Sequence, residues 1–220
     1  MNLCIIAGGV VTLALLLGGC QPTNKPVKPG DTSAEKINFP VEKADSLFGF
    51  QGCDKGRYRA DSIGSFELAY SDYRVQVKTP SFGQGQEIVF IVDSTGLRLP
   101  VPPLEEGGYF RGKWRNFFFV DLGTNPDLRK LNVYKEDKGG LYQVFQTEYL
   151  PYEAPVVSSS GSLWFYAPIE EAAVREKPYC PDAEEWRKQD LSIGYGQRQL
   201  FDMTQRMLVR KSEYICVPRR

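Results

Sequence analysis

The 220-residue chain contains no histidine. Histidine is the commonest general base in enzymes and the commonest zinc ligand, so its absence excludes nucleophiles of the serine–histidine and cysteine–histidine types and disfavours a zinc site. Neither sign of charge is in excess, because 27 lysine and arginine residues balance 27 aspartate and glutamate residues. A neutral chain lacks the basic surface that nucleic acids require. We therefore predict no metal, no cofactor and no nucleic-acid partner.

Motifs that hold phosphate or calcium are also missing. Gly194 and Gly196 are not followed by a third glycine at position 199, and no regularly spaced aspartates form a calcium loop. Carboxylates provide the remaining route to hydrolysis, because glycosidases use two of them across the substrate. Acidic residues that are adjacent in sequence point in different directions, so such a pair has to come from distant residues such as Asp121 and Glu148. No catalytic residue is predicted from the sequence itself.

Residues 3–17 form an uncharged apolar segment of 15 residues, shorter than the roughly 20 residues that a membrane-spanning helix needs. The segment ends in Leu17, Gly18, Gly19 and Cys20. This pattern resembles the lipobox of a bacterial lipoprotein signal peptide. The resemblance implies cleavage between Gly19 and Cys20, a thioether-linked diacylglyceryl group on Cys20, and acylation of the new amino terminus, for instance by palmitate.

The same resemblance implies a location in the cell. A chain that carries two or three acyl groups is held stably in a membrane, since each buried methylene contributes roughly 0.8 kcal/mol. Gln21 follows the lipidated cysteine, whereas aspartate at that position retains some lipoproteins at an inner membrane. We therefore expect a protein of the cell envelope, anchored by lipid, and in the outer membrane if the cell has two membranes.

Composition divides the chain into three parts. Residues 1–19 are the predicted signal peptide, and residues 20–40 form a predicted lipidated tether in which Pro22, Pro26 and Pro29 favour extended backbone. Residues 41–220 form the folded part, which has the length of a single domain. This division predicts one globular body on a spacer.

Three cysteines, Cys53, Cys180 and Cys216, follow the lipobox. A lipoprotein body folds in an oxidising compartment, where cysteines pair. Because three cysteines cannot all pair within one chain, we favour a disulfide between Cys180 and Cys216, which both lie in the C-terminal part. A pair that involves Cys53 and a fully reduced chain are the alternatives.

Alternation of apolar and polar residues with a period of two indicates strands through most of the folded part. The segments that show it are 66–70, 73–77, 87–92, 97–101, 109–120, 131–135, 141–149, 163–166 and 205–217. Pro168 in a first turn and Pro178 after a last turn predict one short helix, and Asp182 predicts the start of a second that ends near Gln189. The fold class predicted is mainly β, an antiparallel sandwich or barrel-like domain with one or two short helices near the C-terminus.

The longest predicted strand, residues 109–120, supplies the candidate binding surface. Cationic and aromatic residues alternate on one face, and such a face can stack on a sugar ring or meet carboxylates of a partner. The residues of the candidate surface are Tyr109, Arg111, Lys113, Arg115 and Phe117, with Trp114 beside them. An ordinary solvated face of an antiparallel sheet has the same pattern.

These observations predict a lipid-anchored, non-enzymatic module that binds or assembles with a protein or glycan of the envelope. The alternative is a carboxylate-based hydrolase of envelope polysaccharide, which requires two acids facing one cleft. A purely structural lipoprotein is a third possibility, and a large apolar patch or an unpaired sheet edge would indicate it.

Overall fold

The computed structural model describes residues 49–62, 64–80, 84–104, 107–123 and 125–220. The predicted signal peptide, the lipidation site and the tether lie outside the described residues. Within them, no helix has the length and apolar character needed to cross a bilayer.

Three antiparallel sheets follow one another along the chain, and in each sheet every strand pairs with the next one in sequence. The first sheet consists of β1 (Arg57–Ser62), β2 (Ser65–Ala69), β3 (Tyr73–Lys78), β4 (Glu87–Val92) and β5 (Leu97–Pro100). The second consists of β6 (Gly108–Trp114), β7 (Phe117–Leu122), β8 (Arg129–Asp137) and β9 (Gly140–Tyr149). The third consists of β10 (Val156–Val157), β11 (Ser162–Ile169), β12 (Ser192–Asp202) and β13 (Met207–Arg219). Short hairpin connections favour this order, because antiparallel neighbours need only tight turns.

The second sheet packs on both of its neighbours. Successive side chains of a strand point to opposite faces, and Phe118 packs with the first sheet whereas Phe119 packs with the third. The Phe118 ring stacks on Phe90 of β4 with centroids 4.0 Å apart, and Phe145 of β9 stacks on Phe201 of β12 at 4.0 Å. All six residues of β7 are buried as a result. Aromatic rings are therefore buried on both faces of the second sheet, and their burial stabilises its packing against both neighbours.

The predicted fold class is confirmed: the described residues are mainly antiparallel strands, arranged in three sheets that do not close into a barrel. The second predicted helix is present as α1 (Ala183–Lys188), with Asp182 at its N-cap position. The first predicted helix is wrong, because only a 3₁₀ turn forms at Glu171–Ala173 and Pro168 lies in β11. Among the described residues β10 reaches β11 only at Leu163 and Trp164, so the missing N–H of Pro168 costs no ladder bond with β10.

The chain enters the folded body through a short segment, residues 50–54, which we call the strap. On one side, the Phe50 N–H donates to the Arg111 carbonyl and the Asp54 N–H to the Lys113 carbonyl, each at 2.8 Å. On the other side, the Val157 N–H of β10 donates to the Gln51 carbonyl at 2.8 Å. The strap is therefore hydrogen-bonded to both the second and the third sheet.

A disulfide joins Cys180 to Cys216 of β13, with Cα atoms 5.7 Å apart. The predicted pairing is thereby confirmed. The bond attaches the long β11–β12 connection to the last strand, and Cys53 in the strap remains a free thiol.

Candidate functional site

The predicted strand 109–120 is two strands joined by a two-residue turn. β6 ends at Trp114, β7 begins at Phe117, and Trp114 pairs with Phe117 across the hairpin. Arg115 in the turn has φ of 54°, a left-handed conformation that tight hairpin turns require. The continuous alternation of residue types concealed this turn, because neither Arg115 nor Asn116 interrupts the pattern as glycine or proline would.

A β-bulge divides the predicted face further. The pairing of β6 with β7 shifts between Phe110 and Lys113, and Gly112 within the bulge has φ of 106°. Lys113 consequently pairs with Phe118 and faces the first sheet, whereas Arg111 and Trp114 face the third. A bulge reverses the direction of every side chain beyond it, so one shared face is not possible.

The six residues of the candidate surface therefore have different environments, and the prediction of a single exposed surface is wrong. Lys113, Trp114 and Phe117 are buried, with 1%, 6% and 6% of their surfaces exposed. Tyr109 and Arg111 are half-buried, and only Arg115 is exposed. The Arg115 guanidinium lies 4.4 Å from the centre of the Trp114 ring and covers it. The exposed side chain is therefore that of Arg115 alone, stacked on a buried ring, and no row of exposed side chains forms.

Lys113 is the centre of one buried polar network. Its Nζ atom donates to Asp54 Oδ2 at 2.8 Å and to the Arg115 carbonyl at 2.7 Å, and it forms an ion pair with Asp72 at 3.1 Å. The rings of Tyr70 and Tyr73 lie 5.0 and 5.2 Å from the same nitrogen. A buried ammonium needs such partners, and here they fix the strap to the β6–β7 turn and to the β2–β3 turn.

Asp121 is the centre of a second network on the opposite face of the second sheet. The carboxylate is fully buried, and its Oδ2 atom accepts hydrogen bonds from Arg111 at 3.0 and 3.1 Å and from Arg129 at 2.6 Å. Burial, together with the negative charge of Asp121, raises the pKa of the Tyr149 hydroxyl beside it. Two guanidinium groups surround this buried carboxylate, which suits a structural ion pair better than a catalytic acid that must reach substrate.

The structure also decides against the acid pair named as a hydrolase candidate. Asp121 pairs with Leu131, and Leu131 pairs with Thr147 on the same face of the second sheet. Glu148 is the next residue along β9 and is exposed, so it lies on the other face. Asp121 and Glu148 therefore do not face one cleft, and the expectation that they converge is wrong.

The partners of these networks could not be found from the sequence. Asp54 lies 59 residues before Lys113, and Arg129 is separated from Arg111 by the whole of β7. Charged residues of this kind are ordinary surface residues in most β-proteins. The pairing of β6 with β7 and of β7 with β8 brings these charged residues together in the folded sheet.

The third sheet carries an aromatic and cationic cluster that sequence reasoning missed. The guanidinium of Arg198 lies 4.5 Å from the centre of the Trp164 ring, and Lys211 Nζ lies 5.6 Å from it. Arg198 also forms an ion pair with Glu213. The cluster requires the pairing of β11, β12 and β13, and β12 was not predicted as a strand. Because the cationic stems already cover Trp164, the ring is not open for stacking on a ligand.

Cys53 packs in the core between the second and third sheets and has an unusual thiol. Burial raises its pKa to about 12, and the nearby Asp54 carboxylate raises it further while the Phe50 backbone and Lys113 oppose the change. The thiolate is the reactive form of cysteine, so a raised pKa suppresses both oxidation and alkylation. This thiol is therefore a packing group.

We expect Cys53 to resist maleimide at pH 8 in the folded protein, because roughly one thiol in ten thousand is then ionised. Mass spectrometry of tryptic peptides after timed labelling measures this directly. Labelling in denaturant provides the control, since the unfolded thiol reacts quickly. Rapid labelling of Cys53 in the native protein would contradict the assigned environment.

Comparison with protein-family models, curated proteins and solved structures finds no match to this chain. Within the described ranges, no three histidine, cysteine, aspartate or glutamate side chains come together as a metal site would require. The two most buried charged groups, Lys113 and Asp121, are each paired with residues of opposite charge.

Proposed function

We propose that this protein is a lipid-anchored component of the bacterial cell envelope that acts as a non-enzymatic binding or assembly module. The observation that carries the proposal is the sequence Leu17, Gly18, Gly19 and Cys20 at the end of an uncharged apolar segment. The anchor is acyl chains on Cys20, and the membrane is the outer one in a cell with two membranes. The partner is a protein or glycan of the envelope.

The strap supports an anchoring role for the segment that precedes it. The strap follows the predicted tether along the chain, and its hydrogen bonds attach it to two sheets. The Lys113–Asp54 ion pair adds a further attachment at the end of the strap. The first described segment after the predicted tether is therefore fixed to the folded body at several points.

The two buried charge networks support a non-enzymatic role. Lys113 and Asp121 are the charged residues with the least exposure in the described part, and both form ion pairs that hold sheets and turns together. A catalytic group needs access to substrate and a pKa suited to proton transfer. These two residues lack that access.

An unpaired sheet edge would favour a purely structural role, and β13 forms one edge of the third sheet. β13 has 13 residues and, within the described ranges, pairs only with β12. Its register shifts opposite Gln197 and Gln199, and it contains Pro218, which has no N–H to donate. Bulges, prolines and charged residues protect edges from adding further strands. The edge therefore gives no support to assembly through strand pairing.

The anchor is tested by replacing Cys20 with serine in the full chain. We expect the variant to lose incorporation of an alkyne-labelled palmitate and to move from the membrane to the soluble fraction, because no thiol remains for the diacylglyceryl group. Cys4→Ser is the matched control, since Cys4 lies within the segment that cleavage removes. Continued labelling and membrane retention of the Cys20→Ser protein would refute the anchor.

A further inference from the structure

Residues 170–191 connect β11 to β12 as a long surface segment, which we call the excursion. All of these residues are described, and every one of them is half-buried or exposed. The 3₁₀ turn at Glu171–Ala173 and the helix α1 within it contain no buried side chain. Because this segment contributes no fully buried side chain to the core, its side chains are available for contacts at the surface.

Tyr179 at the centre of this excursion is the most exposed large hydrophobic side chain among the described residues. It is 89% exposed, whereas Tyr142 and Met207 are 57% and 53% exposed. Single exposed apolar residues are common at surfaces. The unusual feature of Tyr179 is the rigid backbone that presents it.

Three covalent constraints surround Tyr179. Pro178 precedes it, and Cys180 and Pro181 follow it, so ring closure restricts the backbone on both sides. The Cys180–Cys216 disulfide attaches the same segment to β13, and the Pro178 carbonyl lies 3.5 Å from the Cys180 sulfur and 3.7 Å from that of Cys216. Restricting a loop before binding lowers the conformational entropy lost on association.

Charge indicates which kind of surface the excursion can approach. Residues 170–191 contain seven carboxylates and four cationic side chains. Such a segment is repelled by phosphate-bearing lipids and by anionic envelope polymers, and it is attracted to lysine and arginine. A tyrosine as exposed as Tyr179 can insert into a concave pocket, which proteins provide and extended glycans do not.

We propose that Tyr179 is the anchor of a protein–protein interface and inserts into an apolar cleft of a partner whose rim is basic. The inference rests on the proposed function, because it specifies the partner of a tethered binding module as a protein. Tyrosine in this position is typical of residues that dominate interface energy, since it buries a large rigid surface and fixes two torsion angles. The disulfide holds the segment in the conformation that binds.

The test places a photoreactive phenylalanine analogue at position 179 of the full chain and irradiates intact cells of the source organism. Position 142 on β9, which also carries an exposed tyrosine, receives the same analogue as a control. We expect a discrete protein adduct from position 179 that is absent from position 142 and becomes weaker as salt is added. The partner residue identified by mass spectrometry is expected to lie in an apolar cleft bordered by lysine or arginine.

Competition then measures the role of the tyrosine itself. Purified unmodified protein added to envelope fractions is expected to suppress the adduct, and the Tyr179→Ala protein to need a roughly 30-fold higher concentration. Tyr142→Ala is expected to compete as the unmodified protein does. The Cys180→Ser, Cys216→Ser double variant is expected to compete less well than unmodified protein while retaining its circular dichroism spectrum.

Several outcomes would overturn the inference: no adduct above that from position 142, an adduct of twice the chain mass, an adduct with lipid or glycan, or equal competition by Tyr179→Ala. Palmitate labelling of the same preparations reports separately on the anchor. Labelled protein without the adduct refutes the interface alone. Adduct formation by unlabelled protein refutes the anchor alone.

Discussion

Replacing Asp121 with asparagine is expected to lower the free energy of unfolding by about 3 kcal/mol, because two guanidinium groups lose the carboxylate that compensates them. Asparagine has nearly the same volume as aspartate, so the loss does not come from a cavity. Arg111 and Arg129 keep 30% and 24% of their side chains exposed, which allows partial hydration and limits the effect to the lower end of the range for broken buried pairs. Urea unfolding followed by tryptophan fluorescence measures the change.

Glu148→Gln provides the matched control for the Asp121 variant. Glu148 lies on the opposite face of the same sheet and is exposed, so its replacement is expected to change stability by less than about 0.5 kcal/mol. Equal, small effects of the two substitutions would mean that the Asp121 network contributes nothing net to stability. Replacing Asp121, Arg111 and Arg129 together by apolar residues then becomes informative, because an apolar replacement of the whole network can be neutral.

Much of the sheet structure could be predicted from alternation alone. β2, β3, β4 and β9 appear close to their expected bounds because each has clear alternation between turn-forming residues. Strand β12 was missed because Gly194 and Gly196 lower its β propensity. A Cβ atom on Gly196 would lie 2.5 Å from Leu150 Cδ1. Glycine is therefore needed at this position because Leu150, which directly follows β9 of the second sheet, approaches β12 closely. That contact is a tertiary one, which local sequence does not reveal.

The prediction of a single candidate surface on residues 109–120 was wrong for a related reason. Alternation across residues 109–120 is consistent with one strand or with a hairpin, since the turn residues Arg115 and Asn116 fit either pattern. The bulge at Gly112 depends on the strap, because a Cβ atom there would lie 2.9 Å from the Cys53 sulfur. Local pattern therefore predicted which residues form strands, and contacts with residues some 60 positions earlier decided which way the side chains point.

The strap itself leads to the second large prediction, which concerns Gly52. Its φ is 85°, a conformation that side chains with a Cβ rarely adopt, and a Cβ atom there would lie 1.8 Å from the Val157 carbonyl oxygen. Alanine at position 52 therefore displaces either the strap or β10 and breaks the hydrogen bond from Val157 to Gln51. Backbone strain, steric overlap and the lost bond together are expected to cost about 3–5 kcal/mol.

Gly96→Ala separates the backbone strain from the steric overlap and the lost hydrogen bond. Gly96 also has a positive φ, 68°, but no atom outside its neighbours lies within 4 Å of a Cβ built there, so only the backbone strain of about 1 kcal/mol applies. We expect Gly52→Ala to be at least about 2 kcal/mol less stable than Gly96→Ala in urea unfolding. Hydrogen exchange at the Val157 amide is expected to accelerate in the Gly52 variant alone. If both variants lose the same stability and Val157 stays protected, the strap is not held between the second and third sheets in the way that the hydrogen bonds of Gln51 and Phe50 indicate.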